Sequence, residues 1–211
     1  MKSMLIVASI LIWSSSEMSL AGGTIVEGPV MSACIKKDRQ QKTIDSNKQA
    51  PAAFFQDDVL TVDFANTALR TVSTTTNDNE RIVTALCSGR VAFNFDQPYQ
   101  LDGFTMTLDD IKFGSAFSLD DYVKVKVRGF VSSEEGNNSF ESAWSEVLRP
   151  KDFKGKGPYQ MTQTEQGSIC GQRLTLRIDQ IEAQARRSAD RESANQVGVP
   201  RLIFRFVPCR R

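Results

Sequence analysis

Three pairs of adjacent aspartates, at 57–58, 109–110 and 120–121, and one Gly-Lys-Gly, at 155–157, are the stretches of this chain that look most like chemistry. Paired carboxylates can hold calcium or divide general acid and base work between them. A glycine-flanked lysine can cradle a phosphate. The surroundings argue against both. Alternating apolar and polar residues bracket each Asp-Asp, and aspartate favours turns because its short side chain bonds the local backbone. Within a strand, adjacent carboxylates would point to opposite faces and could not share an ion. The three pairs are therefore expected at turns. Gly-Lys-Gly is followed by Pro158, which removes a backbone donor, and no helix pattern follows to offer its amino end. FKGKGPYQMTQTEQGSICG (153–171) is expected to be a solvent-facing loop that ends at a cysteine.

The chain has no histidine. Ser-His-Asp triads, Cys-His nucleophile pairs and imidazole metal sites are excluded, leaving carboxylates, lysine, tyrosine or a lone hydroxyl for any catalysis. No catalytic residue, metal ligand or cofactor site is assigned. Four cysteines, Cys34, Cys87, Cys170 and Cys209, have no CxxC spacing, so disulfides are expected rather than a metal site. Spacing leaves all three pairings open.

The elements that must position these residues are strands. Period-two alternation predicts them over 59–64, 90–95, 103–108, 122–130, 173–178 and 201–206, with a further one over 111–119 bent at Gly114. Residues 139–148 read as strand rather than helix, and 180–192, with helix-forming composition, as a polar excursion with one or two helical turns. Outward positions on three strands are cationic: Lys124, Lys126 and Arg128, then Arg173 and Arg177, then Arg205. Were these strands neighbours, they would make a basic face able to attract an acidic polymer; the alternative is an ordinary solvated face with edge-guarding charges. Trp144 and Tyr159 are the aromatics available for stacking on a sugar, and Asn137-Asn138-Ser139 matches a glycosylation acceptor.

Residues 1–21 read as a secretory signal: Lys2, an apolar run from Met4 to Trp13 too short to span a bilayer, and Ser19 and Ala21 before a cut at Gly22. Residues 22–211 are then one domain of a size that can bury a core. The formal net charge of +1 gives no general pull toward nucleic acid, and no later segment could span a membrane as a helix.

Several stretches together resemble a known group. They are Cys34 ahead of a strand, LCSGRVAFNF, the meander QPYQLDGFTMTLDDIKFGSAFSLDDYVKVKVRGF, FKGKGPY leading into SICG, and the closing LIFRFVPC. In that order they resemble the exported four-cysteine proteins of fungi and bacteria grouped as a domain of unknown function (number forty-three sixty), over about Cys34 to Cys209. The resemblance implies an all-β antiparallel sandwich with Cys34 bonded to Cys87 and Cys170 to Cys209. It implies no activity. The charged 180–195 stretch departs from the family pattern.

The favoured function is a non-catalytic exported binding module whose partner is an envelope polysaccharide or another exported protein. Clustering of Lys124, Lys126, Arg128 and Arg177 beside an exposed aromatic would favour an acidic glycan. A carboxylate-only glycosidase or lyase would need two carboxyl groups about 5–9 Å apart, with Glu134, Glu135, Glu141 and Glu146 as candidates. An inhibitor of exported enzymes would present the loop 150–168 on the disulfide frame.

Overall fold

Alternation of one inward and one outward residue marks most of the longer strands whose side chains are described. The computed structural model describes residues 23–38, 40–45, 50–74, 82–114, 119–133, 136–150, 159–164, 169–188 and 194–209. These contain β1 (Gly23–Met31), β2 (Ile35–Lys37), β3 (Thr43–Asp45), β4 (Ala52–Gln56), β5 (Val59–Asp63) and β6 (Val72–Ser73). They continue with β7 (Ile82–Lys112), β8 (Tyr122–Ser133), β9 (Gly136–Leu148), β10 (Tyr159–Thr164), β11 (Gly171–Arg186) and β12 (Gln196–Pro208). There is no helix among the described residues. All pairings are antiparallel, within one 12-stranded sheet whose main path runs β4-β5-β12-β7-β11-β8-β9.

The 31-residue β7 organises the molecule. From Ile82 to Tyr99 it pairs with β11, and its opposite edge meets β1 and β2. From Tyr99 to Lys112 its partners become β12 and β10. The two portions of sheet share a core. Phe93, on the first portion, lies 4.7 Å from Phe206 of β12 and 4.9 Å from Phe55 of β4, ring centre to ring centre. A gap of about 20 Å³ is bounded by Leu101, Phe104 and Phe204 on one side and Val127, Leu176 and Ile178 on the other. Each such side chain taken from water contributes about 1.5–3 kcal/mol, and each aromatic pair about 0.5–1.5 kcal/mol more.

Tyr99 marks the change of partners. It is buried, pairs with Gly171 and Pro208, and donates its phenolic O–H to Asp58 Oδ2 at 3.0 Å. Burial first, and then that hydrogen bond, push the phenol above its ordinary pKa. The disulfide Cys170–Cys209 lies immediately beyond those two partners, joining the start of β11 to the end of β12 across β7, with Cα atoms 6.0 Å apart. The other disulfide, Cys34–Cys87, ties the β1–β2 connection to the first portion of β7, with Cα atoms 4.5 Å apart. These are the two bonds that the resemblance implies.

All-β, antiparallel and twice disulfide-bonded, the fold agrees with expectation; several local readings do not. Asp57–Asp58 is the expected turn, a two-residue hairpin loop with φ of 50° and 61°, the left-handed values that such hairpins require. Asp109–Asp110 is not a turn. It lies inside β7 at an irregularity in the β12 pairing, where Asp110 has φ 51° and Asp109 accepts a hydrogen bond from Arg70 Nη1 at 2.5 Å. A bulge supplies the bend that a turn was expected to make. β7 ends at Lys112, so no separate strand forms over 111–114, and 115–118 lie outside the described residues. Asp121 is buried beside the turn at 119–120, and its Oδ1 accepts from the Ser188 amide at 2.6 Å. The helical turns expected over 180–192 are instead strand as far as Arg186. Ile181, Ala183 and Ala185 point inward, and sheet packing overrides alanine's helix preference. The loop before Cys170 contains β10; Gly-Lys-Gly itself lies outside the described residues.

Candidate functional site

Val123, Val125 and Val127 of β8 are buried, so Lys124, Lys126 and Arg128 between them project from the outer face of the sheet. Along a strand such neighbours sit roughly 7 Å apart. On β11, Leu174, Leu176 and Ile178 point inward while Arg173 and Arg177 point outward. β8 and β11 are paired, so these five cations share one face. The sixth, Arg205, does not join them. It lies on β12 between Val59 of β5 and Gly103 of β7, and β12 pairs with neither β8 nor β11.

The face reads as a series of rungs in register. Lys124 stands opposite Gln184, which stands opposite Thr84. Gln184 Nε2 donates to Thr84 Oγ1 at 2.9 Å, while Tyr122 donates to Gln184 Oε1 at 2.8 Å. Lys126 faces Glu182, whose Oε2 also accepts from Gln180 Nε2 at 2.8 Å. Further along, Val30 of β1, Arg90 of β7, Arg177 of β11 and Phe130 of β8 form one continuous rung across four strands. Two arginines thus stand directly opposite each other, with an apolar side chain beyond each.

Arg177 is held from two sides. Its Nε lies 2.8 Å from Asp179 Oδ1, and its guanidinium carbon lies 5.4 Å from the centre of the Phe130 ring. Asp179 owes its place to a bulge: Ile178 and Ile181 pair with Gly89 and Cys87 while Gln180 stays opposite Arg128, so Asp179 is the one extra residue pushed out of the ladder. On the other side of Ile178 the backbones come close. A Cβ on Gly129 would lie 2.3 Å from the Arg177 carbonyl oxygen, so that position accepts only glycine without movement.

A groove of about 680 Å³ crosses the face at this rung, lined by Val30, Ser88, Arg90, Phe130 and Arg177 among others. A second opening, of about 710 Å³, shares Ser32, Ser88, Arg177 and Asp179 with the first and reaches Arg128 and Ile35. The wall formed by residues 30–35 is fixed. Cys34 is bonded to Cys87, the Ser32 amide donates to the Ser88 carbonyl at 2.9 Å, and the Ser88 amide donates to Ser32 Oγ at 2.9 Å. Val30 remains 71% exposed and Ile35 42%, large apolar groups beside a charged groove.

The face also holds Arg90 and Arg186, which sequence reasoning did not gather in. Arg90 opens the RVAFNF stretch, and its place beside Arg177 depends on a pairing that alternation cannot reveal. Arg186, with its guanidinium carbon 5.6 Å from the Tyr122 ring centre, was hidden by the helical reading of its segment. Its signal was present, since period-two alternation runs unbroken through Ile181, Ala183 and Ala185. Tyr159 begins β10 and is exposed, on an element remote from the groove in the pairing scheme. The side chains of Trp144, Asn137, Glu141 and Glu146, and all of Glu134 and Glu135, lie outside the described residues. Among the described residues, no three Asp, Glu or Cys side chains gather as a metal site, and no helix is long and apolar enough to cross a membrane. Compared with protein-family models and with curated proteins, the chain finds no match.

Proposed function

We propose that the chain is an exported, non-catalytic binding module, akin to the four-cysteine proteins it resembles, whose β7–β11–β8 outer face takes an acidic polysaccharide. The observation that carries this reading is the gathering of Lys124, Lys126, Arg128, Arg173 and Arg177, joined by Arg90 and Arg186, on one sheet face with a groove across it. Against them around the groove stand Asp179 and Glu182, while Asp96, Asp102, Asp109 and Asp110 lie further along β7. A chain of near-zero net charge with seven cations gathered on one face can attract polyanions there without a general pull over its surface. Export is supported by the leader-like 1–21 segment and by two disulfides, which persist in oxidising compartments.

The test is binding of polygalacturonate against a neutral glucan, at low and at high salt. The proposal expects capture of the acidic polymer alone, weakening as salt rises, because exposed charges separated by more than a Debye length are screened. Equal capture of the neutral glucan, or no capture of polygalacturonate at low salt, would overturn it.

A further inference from the structure

The Val30–Arg90–Arg177–Phe130 rung offers an anion more than a diffuse field. Opposed residues in an antiparallel pair place their Cβ atoms about 4.5–5.5 Å apart, and like charges so placed destabilise the sheet. Arg90 and Arg177 are such a pair, and both line the groove. An oxyanion in the groove between them could accept charge-assisted hydrogen bonds from both, and guanidinium groups suit carboxylate and sulfate because their donors are planar and forked. Asp179 and Phe130 hold the Arg177 head before any ligand arrives, which lowers the ordering cost of binding. The remaining groove lining suits a sugar. Ser32, Ser88, Ser132 and Thr175 offer hydroxyls, while exposed Val30 offers an apolar surface at the end of the rung.

Resting on the reading of this face as a polyanion surface, we propose that the Arg90–Arg177 rung is a discrete subsite for one sugar-borne oxyanion, either the carboxylate of a uronic acid or a sulfate ester. The row Lys124–Lys126 then supplies the long-range field that holds the polymer, and the rung reads one sugar of it. Asp179 limits the subsite to a single anion by repelling a second.

The experiment titrates the purified protein with galacturonate, inorganic sulfate and glucose as separate probes, and with polygalacturonate. The variants are R177Q, R90Q, R177K and K124Q/K126Q. Saturable binding of galacturonate or sulfate, with none of glucose, is expected, and the preferred anion identifies the chemical source. R177Q or R90Q should weaken the small probe about tenfold or more, since a hydrogen bond to a charged group contributes about 1.5–3 kcal/mol. K124Q/K126Q should change it by about threefold or less, because these charges act through solvent. Should R177Q fail to fold, as judged by its melting curve, R177K keeps the charge, loses the fork, and should still bind weakly. Unchanged small-anion binding in R177Q and R90Q would overturn the subsite, as would equal binding of glucose or no saturable anion binding at all. The two proposals fail separately. Polymer binding that survives R177Q unimpaired removes the subsite and keeps the face; galacturonate bound as tightly as its polymer removes the face and keeps the subsite.

Discussion

On β8 the outward residues are Lys124, Lys126 and Arg128; on β12 they are Arg201, Ile203 and Arg205. Both strands alternate cleanly, and either could be called basic from sequence. Their neighbours differ. Arg201 stands opposite Asp63 on one side and Thr107 on the other, Ile203 opposite Thr61 and Thr105, and Arg205 opposite Val59 and Gly103. The β8 row meets Gln184, Glu182 and Gln180, and beyond Phe130 come two more arginines. A charge on one strand becomes a surface property only where paired strands repeat it. The β12 face dilutes its cations among threonines, an isoleucine and a carboxylate, whereas the β8–β11–β7 face accumulates them around a groove. Each region also has its own staple, Cys34–Cys87 beside the groove and Cys170–Cys209 at the change of partners.

The largest expected effects come from the staples. Closing loops with sequence separations of 53 and 39, each bond should stabilise the fold by about 4 kcal/mol in the chain-entropy model. Denaturant unfolding of C34A/C87A and of C170A/C209A should show similar losses. Only the first should also weaken anion binding in the protein that remains folded, because only it releases the 30–35 wall. Equal weakening by both would erase the distinction between the regions.

Next come two glycines at matching close approaches. A Cβ on Gly129 would lie 2.3 Å from the Arg177 carbonyl oxygen, and one on Gly198 would lie 2.3 Å from that of Arg70. G129A and G198A should each cost about 1–3 kcal/mol of overpacking strain. Galacturonate binding should fall in G129A, which shifts the strand carrying Arg177, and hold in G198A.

Smaller again is Y99F, which deletes one hydrogen bond to Asp58 and should cost about 1 kcal/mol by denaturant titration. The phenol also sets a pH dependence. Its folded pKa is raised, so above pH about 10 the unfolded chain releases this proton while the folded chain retains it. Fewer protons on the unfolded state mean that stability falls with rising pH there, having been fully present below it. Unfolding curves from pH 9 to 11 should show a steeper loss in the wild type than in Y99F.

Much of this fold is legible because β8 and the stretches 174–178 of β11 and 201–206 of β12 keep strict alternation, with valine, leucine, isoleucine and phenylalanine inward. Where local chemistry competes with pairing, the sequence misled. Asp109–Asp110 carries turn composition inside a strand because a bulge uses the same left-handed tolerance that a turn does. Ala183 and Ala185 carry helix propensity into a strand, where pairing with β7 and β8 and burial decide the conformation. The β1 strand was not foreseen, since Pro29 and two register shifts break its pattern. The candidate site was half legible. Charges on β8 and β11 can be read from alternation, but placing Arg90 against Arg177 and removing Arg205 to another part of the sheet require knowing which strands pair.

The most direct test of the central claim compares K124Q/K126Q/R128Q with R201Q/R205Q for polygalacturonate affinity at low salt, melting temperatures being matched to the wild type. The β8 variant should lose affinity on the order of tenfold, three exposed charges each contributing up to about 1 kcal/mol, and should show a shallower salt dependence. The β12 variant should stay within about twofold of wild type. Equal losses in the two variants, or a greater loss from β12, would contradict the assignment of binding to the β7–β11–β8 face.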